Sequence, residues 1–140
     1  MNIKTVLEPG AIMPTRAHAT DAGLDLYSRE FELIDAGESY FFDTGVHIEI
    51  PEGYVGMIKS KSGLNLKHSL TCTGVIDAGY VGSIGVNLYN HHLSDAVAIS
   101  KGQKIAQLVI MPIVTPELEL VDSLEDTERG EGGFGSTGEF

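Results

Sequence analysis

Short runs in which apolar and polar residues alternate with a period of two constrain this chain more than any other feature. Val46, Ile48 and Ile50 alternate with Gly45, His47 and Glu49 ahead of the turn residues Pro51-Glu52-Gly53. Ile84, Val86 and Leu88 alternate in the same way with Gly85, Asn87 and Tyr89. Successive side chains of a strand point to opposite faces, so this pattern buries one face and wets the other. Further apolar runs at Tyr54–Ile58, Ala96–Ile99, Ile105–Ile110 and Leu118–Val121 are each bounded by Gly, Pro, Asp or Ser. Many short strands at a spacing of roughly 8–12 residues imply an all-β domain, either a sandwich, a jelly roll or a barrel. One short helical turn is expected near Leu64–His68, and neither an internal repeat nor an interdomain linker is visible.

A length of 140 residues suits one domain with a modest core. The longest apolar stretch, Leu108 to Val114, contains Pro112 and is too short to span a bilayer. Met1-Asn2-Ile3-Lys4 lacks the basic-then-apolar pattern of a signal peptide, so a membrane partner is not expected. Cys72 is the only cysteine, which excludes an intrachain disulfide and suits a cytoplasmic setting. With no paired His or cationic neighbour in sequence, Cys72 reads as a small buried hydrophobe. A formal net charge of −11 disfavours duplex nucleic acid, whose binding needs Lys and Arg against phosphates. The same charge repels an anionic substrate at long range. A triphosphate would therefore need local cations and a divalent metal.

From about Asp122 the chain turns acidic and then glycine-rich, through Arg129-Gly130-Glu131-Gly132-Gly133-Phe134-Gly135-Ser136-Thr137-Gly138. This stretch lacks the apolar residues needed to fold alone. Two readings stay open: a disordered tail, or a segment that orders on an anionic, ring-containing ligand. His91-His92 with Asp95 reads as a polar loop after a strand, and Arg16 and His18 as solvated residues.

Five segments in order carry a resemblance. They are Ala19-Thr20-Asp21-Ala22-Gly23-Leu24-Asp25-Leu26-Tyr27-Ser28, Lys61-Ser62-Gly63-Leu64, Gly74-Val75-Ile76-Asp77-Ala78-Gly79-Tyr80, Gly102-Gln103-Lys104-Ile105-Ala106-Gln107-Leu108, and the tail just given. Together they resemble the five motifs of the trimeric dUTPase family and span the chain from Ala19 to Gly138. Each alone would be a weak signal; five in order are specific.

The resemblance implies a jelly-roll-like fold over residues 1–121, with residues 122–140 as a mobile C-terminal arm closing over the active site. It implies hydrolysis of dUTP to dUMP and pyrophosphate with Mg²⁺ as cofactor, in a homotrimer whose sites are shared between subunits. Phosphoanhydride hydrolysis needs an in-line water and a base to take its proton. Read alone, Asp77 suits a turn cap; within its motif it resembles the family's catalytic Asp. Tyr80 resembles the aromatic under the sugar that leaves no room for a ribose 2′-hydroxyl. Gly74, in the same hairpin, falls among the substrate-binding positions, where backbone groups read the uracil edge.

Lys61, Ser62, Gly63 and Gln107 look like the phosphate grip, with Ser62 and Gly63 at a strand-to-helix junction where unpaired amides favour anions. As plain structure, Ser62-Gly63 would be a turn and Gln107 a solvent-facing strand residue. Asp25 resembles the carboxylate that holds Mg²⁺ through a bound water, whereas Asp21 is expected to form a turn ahead of Gly23. In the arm, Phe134 would lie over uracil, beside Gly135, while Arg129, Ser136 and Thr137 would hold the terminal phosphate.

Several positions depart from the family pattern. Lys61 stands where Arg is usual and lacks the planar fork for bidentate phosphate contact. Val81, Gln103 and Thr71 replace a polar or basic residue, an Asp and an Asn. Deamination of dCTP, found on the same fold, calls for a Glu downstream in the hairpin region, and Gly82 to Asn90 holds no acidic residue. A different role is a regulatory protein partner bound on this scaffold, as some phage relatives do.

Overall fold

The computed structural model describes residues 1–140 and is built almost entirely of strands. Ten strands occur in chain order: β1 Thr5–Leu7, β2 Gly23–Tyr27, β3 Glu32–Ile34, β4 Ser39–Ile48, β5 Tyr54–Ser60, β6 Leu70–Thr71, β7 Thr73–Ile76, β8 Ser83–Asn90, β9 Val97–Ile99 and β10 Lys104–Pro112. The single helix, α1 Ser62–His68, starts two residues ahead of the expected turn and ends at Ser69 in the left-handed conformation. No helix is long and apolar enough to cross a membrane.

Two four-stranded sheets, β1-β4-β8-β6 and β2-β10-β5-β7, are joined by a small β3-β9 pair, and every pairing is antiparallel. The inner faces share one core. Phe42, Val46, Ile84, Val86 and Leu88 come from the first sheet, and Leu26, Ile58, Ala106 and Leu108 from the second. The alternating triplets behave as expected, with Val46, Ile48, Ile50, Ile84, Val86 and Leu88 all buried. Burial of such side chains contributes about 1.5–3 kcal/mol each and is the main force closing the sandwich. The layered antiparallel arrangement is a jelly roll, as expected from the sequence.

One expected run forms no strand. Leu118–Val121 has no ladder, and Leu118 and Leu120 are almost fully exposed. The last backbone bond tying this end to the body is Ile113 N–H to the Gly53 carbonyl, at 2.9 Å. Beyond it the apolar run pairs with none of the open sheet edges, and apolar character alone cannot make a ladder.

Candidate active site

Asp25 lies on β2, opposite Gln107 of β10, which in turn lies opposite Lys59 of β5. This register sets the motif-one carboxylate beside the end of β5, where Lys61 emerges. Lys61 Nζ is 2.5 Å from Asp25 Oδ1, and Lys104 Nζ is 2.7 Å from Oδ2. Asp25 is only 5% exposed. Burial acts to raise its carboxyl, but the Lys104 and Lys61 ammoniums outweigh it and hold Asp25 below the usual carboxylate range. The cluster carries two positive charges for one negative, so it is a local cationic spot on an acidic protein.

Gln107 is half-buried and donates from Nε2 to the Ser60 carbonyl at 3.0 Å. Its side chain crosses directly over Gly23, where an added Cβ would collide with Oε1. A side chain at position 23 would therefore displace the Gln107 amide from the Ser60 carbonyl. Ser60 Oγ donates to the Cys72 carbonyl at 3.0 Å and accepts from the Cys72 N–H at 2.9 Å, tying the end of β5 to the β6–β7 junction. Cys72 is buried, and burial pushes its thiol up. Ser62 and Gly63 are exposed in the first turn of α1, whose leading amides have no intrahelical partner, and the space beside Gly63 Cα is open. Asp21 forms its turn by accepting from His18 N–H at 3.0 Å.

Asp77 and Tyr80 lie elsewhere, on the turn through which the chain passes from β7 in one sheet to β8 in the other. Gly79 has φ +88°, and Tyr80 N–H reaches the Asp77 carbonyl at 3.2 Å. Tyr80 Oη donates to the Ser83 carbonyl at 2.9 Å, laying the ring against Gly82, where a Cβ would overlap it. A cavity of about 270 Å³ is lined by Phe41, Val75, Ile76, Asp77, Tyr80, Ser83 and Gly85. Larger clefts of about 340 and 520 Å³ lie along the N-terminal strand, and Asp77 and Asp25 line neither. Gly74 pairs with Ile58 within the β5–β7 ladder.

Within one chain these two groups stay apart. Gly56 of β5 faces Ile76, and Lys61 lies five residues further along. At a strand's rise of about 3.3 Å per residue, Ile76, where the Asp77 turn starts, and the Lys61 end are separated by about 16 Å along β5. Arg129, Phe134, Gly135, Ser136 and Thr137 form a third group. The hydrogen bonds of residues 127–138 all stay within that segment, including Arg129 Nε to the Gly132 carbonyl at 2.8 Å. Phe134 is fully exposed with φ +49°.

Two neighbours of the site were not singled out from sequence. Lys104 sits inside the fourth motif but earns attention only once β10 brings it onto Asp25. Phe41, adjacent to Phe42, carries no distinguishing signal; the β4–β8 register turns it over Gly85 and into the cavity wall. Thr71 Oγ1 meets His91 Nε2 at 2.6 Å, and the His91 ring stacks on Tyr89, so His91 has a structural role.

The model of the family described as dUTPase matches residues 10–138. Deoxyuridine 5′-triphosphate nucleotidohydrolase of Gloeothece citriformis is 47% identical over 137 residues, covering 96% of this chain and 94% of that protein. The enzyme of the same name from Clostridium tetani is 46% identical over 136 residues, covering 95% and 93%. Among solved structures, the Staphylococcus bacteriophage 80alpha dUTPase with dUpNHpp superposes with a TM-score of 0.91 at 40% identity, covering 98% of each chain. The dUTPase of phage phi11, described with a structural Mg(II) ion, gives a TM-score of 0.85 at 36% identity, covering 90% of this chain and 100% of that one. A family match over nearly the whole length, on a fold that carries all five motifs, means that this chain belongs to the dUTPase family.

Proposed function

We propose that this chain hydrolyses dUTP to dUMP and pyrophosphate, with Asp77 as the general base. The observation that carries this reading is the Asp77–Tyr80 turn, in which a carboxylate and an aromatic ring line one cavity at the crossing between the sheets. Asp77 takes the proton of a water aligned on the α-phosphorus, and the pyrophosphate leaves in line. Tyr80 supports the sugar and excludes a 2′-hydroxyl by lack of space. Lys61, Ser62, Gly63 and Gln107 bind the phosphates, with Gly74 in the base-reading hairpin.

Mg²⁺ fits this donor set as a passenger on the triphosphate. The chain has no group of three His, Cys, Asp or Glu side chains able to cage a metal. Asp25 has two oxygens with about four acceptor sites between them, and its two lysines use only part of that capacity. Asp25 would hold the hydrated ion through water, and the bound ion would neutralise charge on the phosphate oxygens.

The separation between Asp77 and the Lys61–Asp25–Gln107 group supports shared sites in a homotrimer, in which each of two subunits supplies one half of a site. Arg129, Phe134, Gly135, Ser136 and Thr137, on an arm formed by residues 122–140, would close over the nucleotide and exclude bulk water. A second reading is a regulatory protein partner. The bacteriophage 80alpha dUTPase is described as controlling transfer of virulence genes, and this chain shares its fold at 40% identity; capture of a specific host protein that dUpNHpp releases would support it.

Pyrophosphate release from dUTP, UTP, dTTP and dCTP with Mg²⁺ tests the main reading. Release from dUTP alone is expected, falling at least ~100-fold in Asp77→Asn, the scale of a lost general base. Near-normal turnover by that variant would remove Asp77 from the role.

A further inference from the structure

Glu8, Arg29, Asp43, His47 and Ser83 form one connected set of side chains that the proposed reaction does not use. Arg29 donates from Nη1 to Glu8 Oε2 at 2.8 Å and from Nη2 to Asp43 Oδ2 at 2.7 Å. Ser83 Oγ and, at 3.0 Å, Gly45 N–H both donate to Asp43 Oδ1. A bulge in β4 makes the set possible. Between the pairs Asp43–Gly85 and His47–Ser83, four steps along β4 run against two along β8. Gly45 supplies the left-handed backbone there, φ +67°, and a Cβ at this position would press to 2.7 Å from Arg29 Nη1. The bulge turns Asp43 and His47 toward the same end of the Asp77–Ser83 hairpin.

His47 is held at both ring nitrogens. Nδ1 is 2.8 Å from the Val81 carbonyl and Nε2 is 2.9 Å from Glu8 Oε1. A carbonyl and an ionised carboxylate only accept, so both nitrogens must donate, and a ring with two N–H groups is an imidazolium. The charged groups around it are Glu8 after β1, Arg29 after β2, Asp43 on β4, and the Lys4–Glu49 pair at 3.1 Å on the rim of the adjoining cleft. Val81 directly follows Tyr80. Apart from the turn bond of Tyr80, the hairpin tip is shaped by side chains: His47 on Val81, Tyr80 on Ser83, and Ser83 on Asp43.

We infer that the His47 imidazolium is a positioning residue for nucleotide binding, clamping the Val81 carbonyl to Glu8 so that the Tyr80 hairpin is preformed. The inference rests on the reading of that hairpin as the nucleotide-binding one. The Val81 carbonyl and Glu8 both raise the His47 pKa, and His47 with Arg29 lowers that of Glu8. A raised folded-state pKa means that the clamp is complete below the ordinary imidazole value of about 6.5 and is lost as pH rises through the raised value. A neutral ring has one N–H and must release either Val81 or Glu8.

The test combines dUTP kinetics from pH 6 to 9 on the full chain with ¹H–¹⁵N spectra of the wild type. The wild-type KM is expected to rise by about fivefold through the His47 titration, the size of one net hydrogen bond, with kcat insensitive to that titration. His47→Ala, or His47→Gln if the alanine variant folds poorly, should show the high-pH KM at every pH. In the spectra, His47 should titrate above an ordinary imidazole, with the Val81 and Gly82 amides following it. Wild-type KM and pH profile in both variants, or hairpin amides indifferent to His47, would overturn the clamp. If the wild type releases no pyrophosphate from dUTP, the hydrolase reading fails, while the clamp still stands or falls on the spectra.

Discussion

Gly82 shows how a residue with no functional group can fix the direction of a neighbouring ring. Tyr80 Oη reaches the Ser83 carbonyl only by laying its ring across Gly82. Gly82 has no positive φ, so alanine is allowed by the backbone and is excluded by the ring alone. In Gly82→Ala the Tyr80 ring must swing away. We expect the KM for dUTP to rise about tenfold and discrimination against UTP to fall by a similar factor, with the melting temperature nearly unchanged. Parallel dUTP and UTP kinetics check this; an unchanged ratio would mean that Tyr80 does not guard the sugar. None of this was legible beforehand, because Tyr80 alone resembled a family residue and its dependence on Gly82 is a matter of side-chain direction. Asp25 is a parallel case. Its motif marked it, but its two lysine partners, Lys61 and Lys104, come from positions 36 and 79 residues further along the chain.

At the level of elements, alternation located the central strands well. β5, β8, β9 and β10 fall on apolar runs visible in sequence and Val46 and Ile48 mark the end of β4, because a half-buried strand must place its apolar residues on one face, whereas β2, β7 and the first half of β4 lie outside those runs. Short edge pieces were harder. β1, β3 and β6 have two or three residues each, too few for a period to register, and are defined by the neighbours they pair with. The run at Leu118–Val121 has the apolar character of a strand but pairs with none of the open sheet edges. The C-terminal segment beyond it bonds only to itself between residues 127 and 138. Removing residues 122–140 should therefore shift the melting temperature by no more than about 2 °C, since surface groups outside the core contribute little. Turnover of dUTP should fall at least ~100-fold, because the arm's Arg, Phe and hydroxyl groups would be lost from the closed site. Calorimetry and pyrophosphate release on the same preparation separate the two effects; full activity in the truncated chain would end the closing-arm reading.

For the molecule as a whole, the distance between Asp77 and the Lys61 end sets the strongest test of assembly. If each site draws Asp77 and its closing arm from different subunits, two inactive variants can complement one another. Asp77→Asn and the chain lacking residues 122–140 should each be inactive, and refolding them together at equal amounts should restore activity. Random mixing leaves about a quarter of sites with both parts intact, so about a quarter of wild-type turnover is expected. No recovery, with mixed trimers confirmed by mass, would place Asp77 and the arm of a site on one subunit. The acidic surface bears on the same question. At a net charge of −11, attraction of a triphosphate depends on small cationic spots such as the Lys61–Lys104 pair.

By itself the sequence determined the strand class, the central core triplets and the order of the five motifs, since each is written in local periodicity or in contiguous residues. Tertiary structure alone decided that two lysines share Asp25, that Phe41 walls the cavity, and that a bulge at Gly45 turns His47 onto the Val81 carbonyl. Those facts depend on register between strands far apart in the chain, and a shift of one residue would send each side chain to the other face.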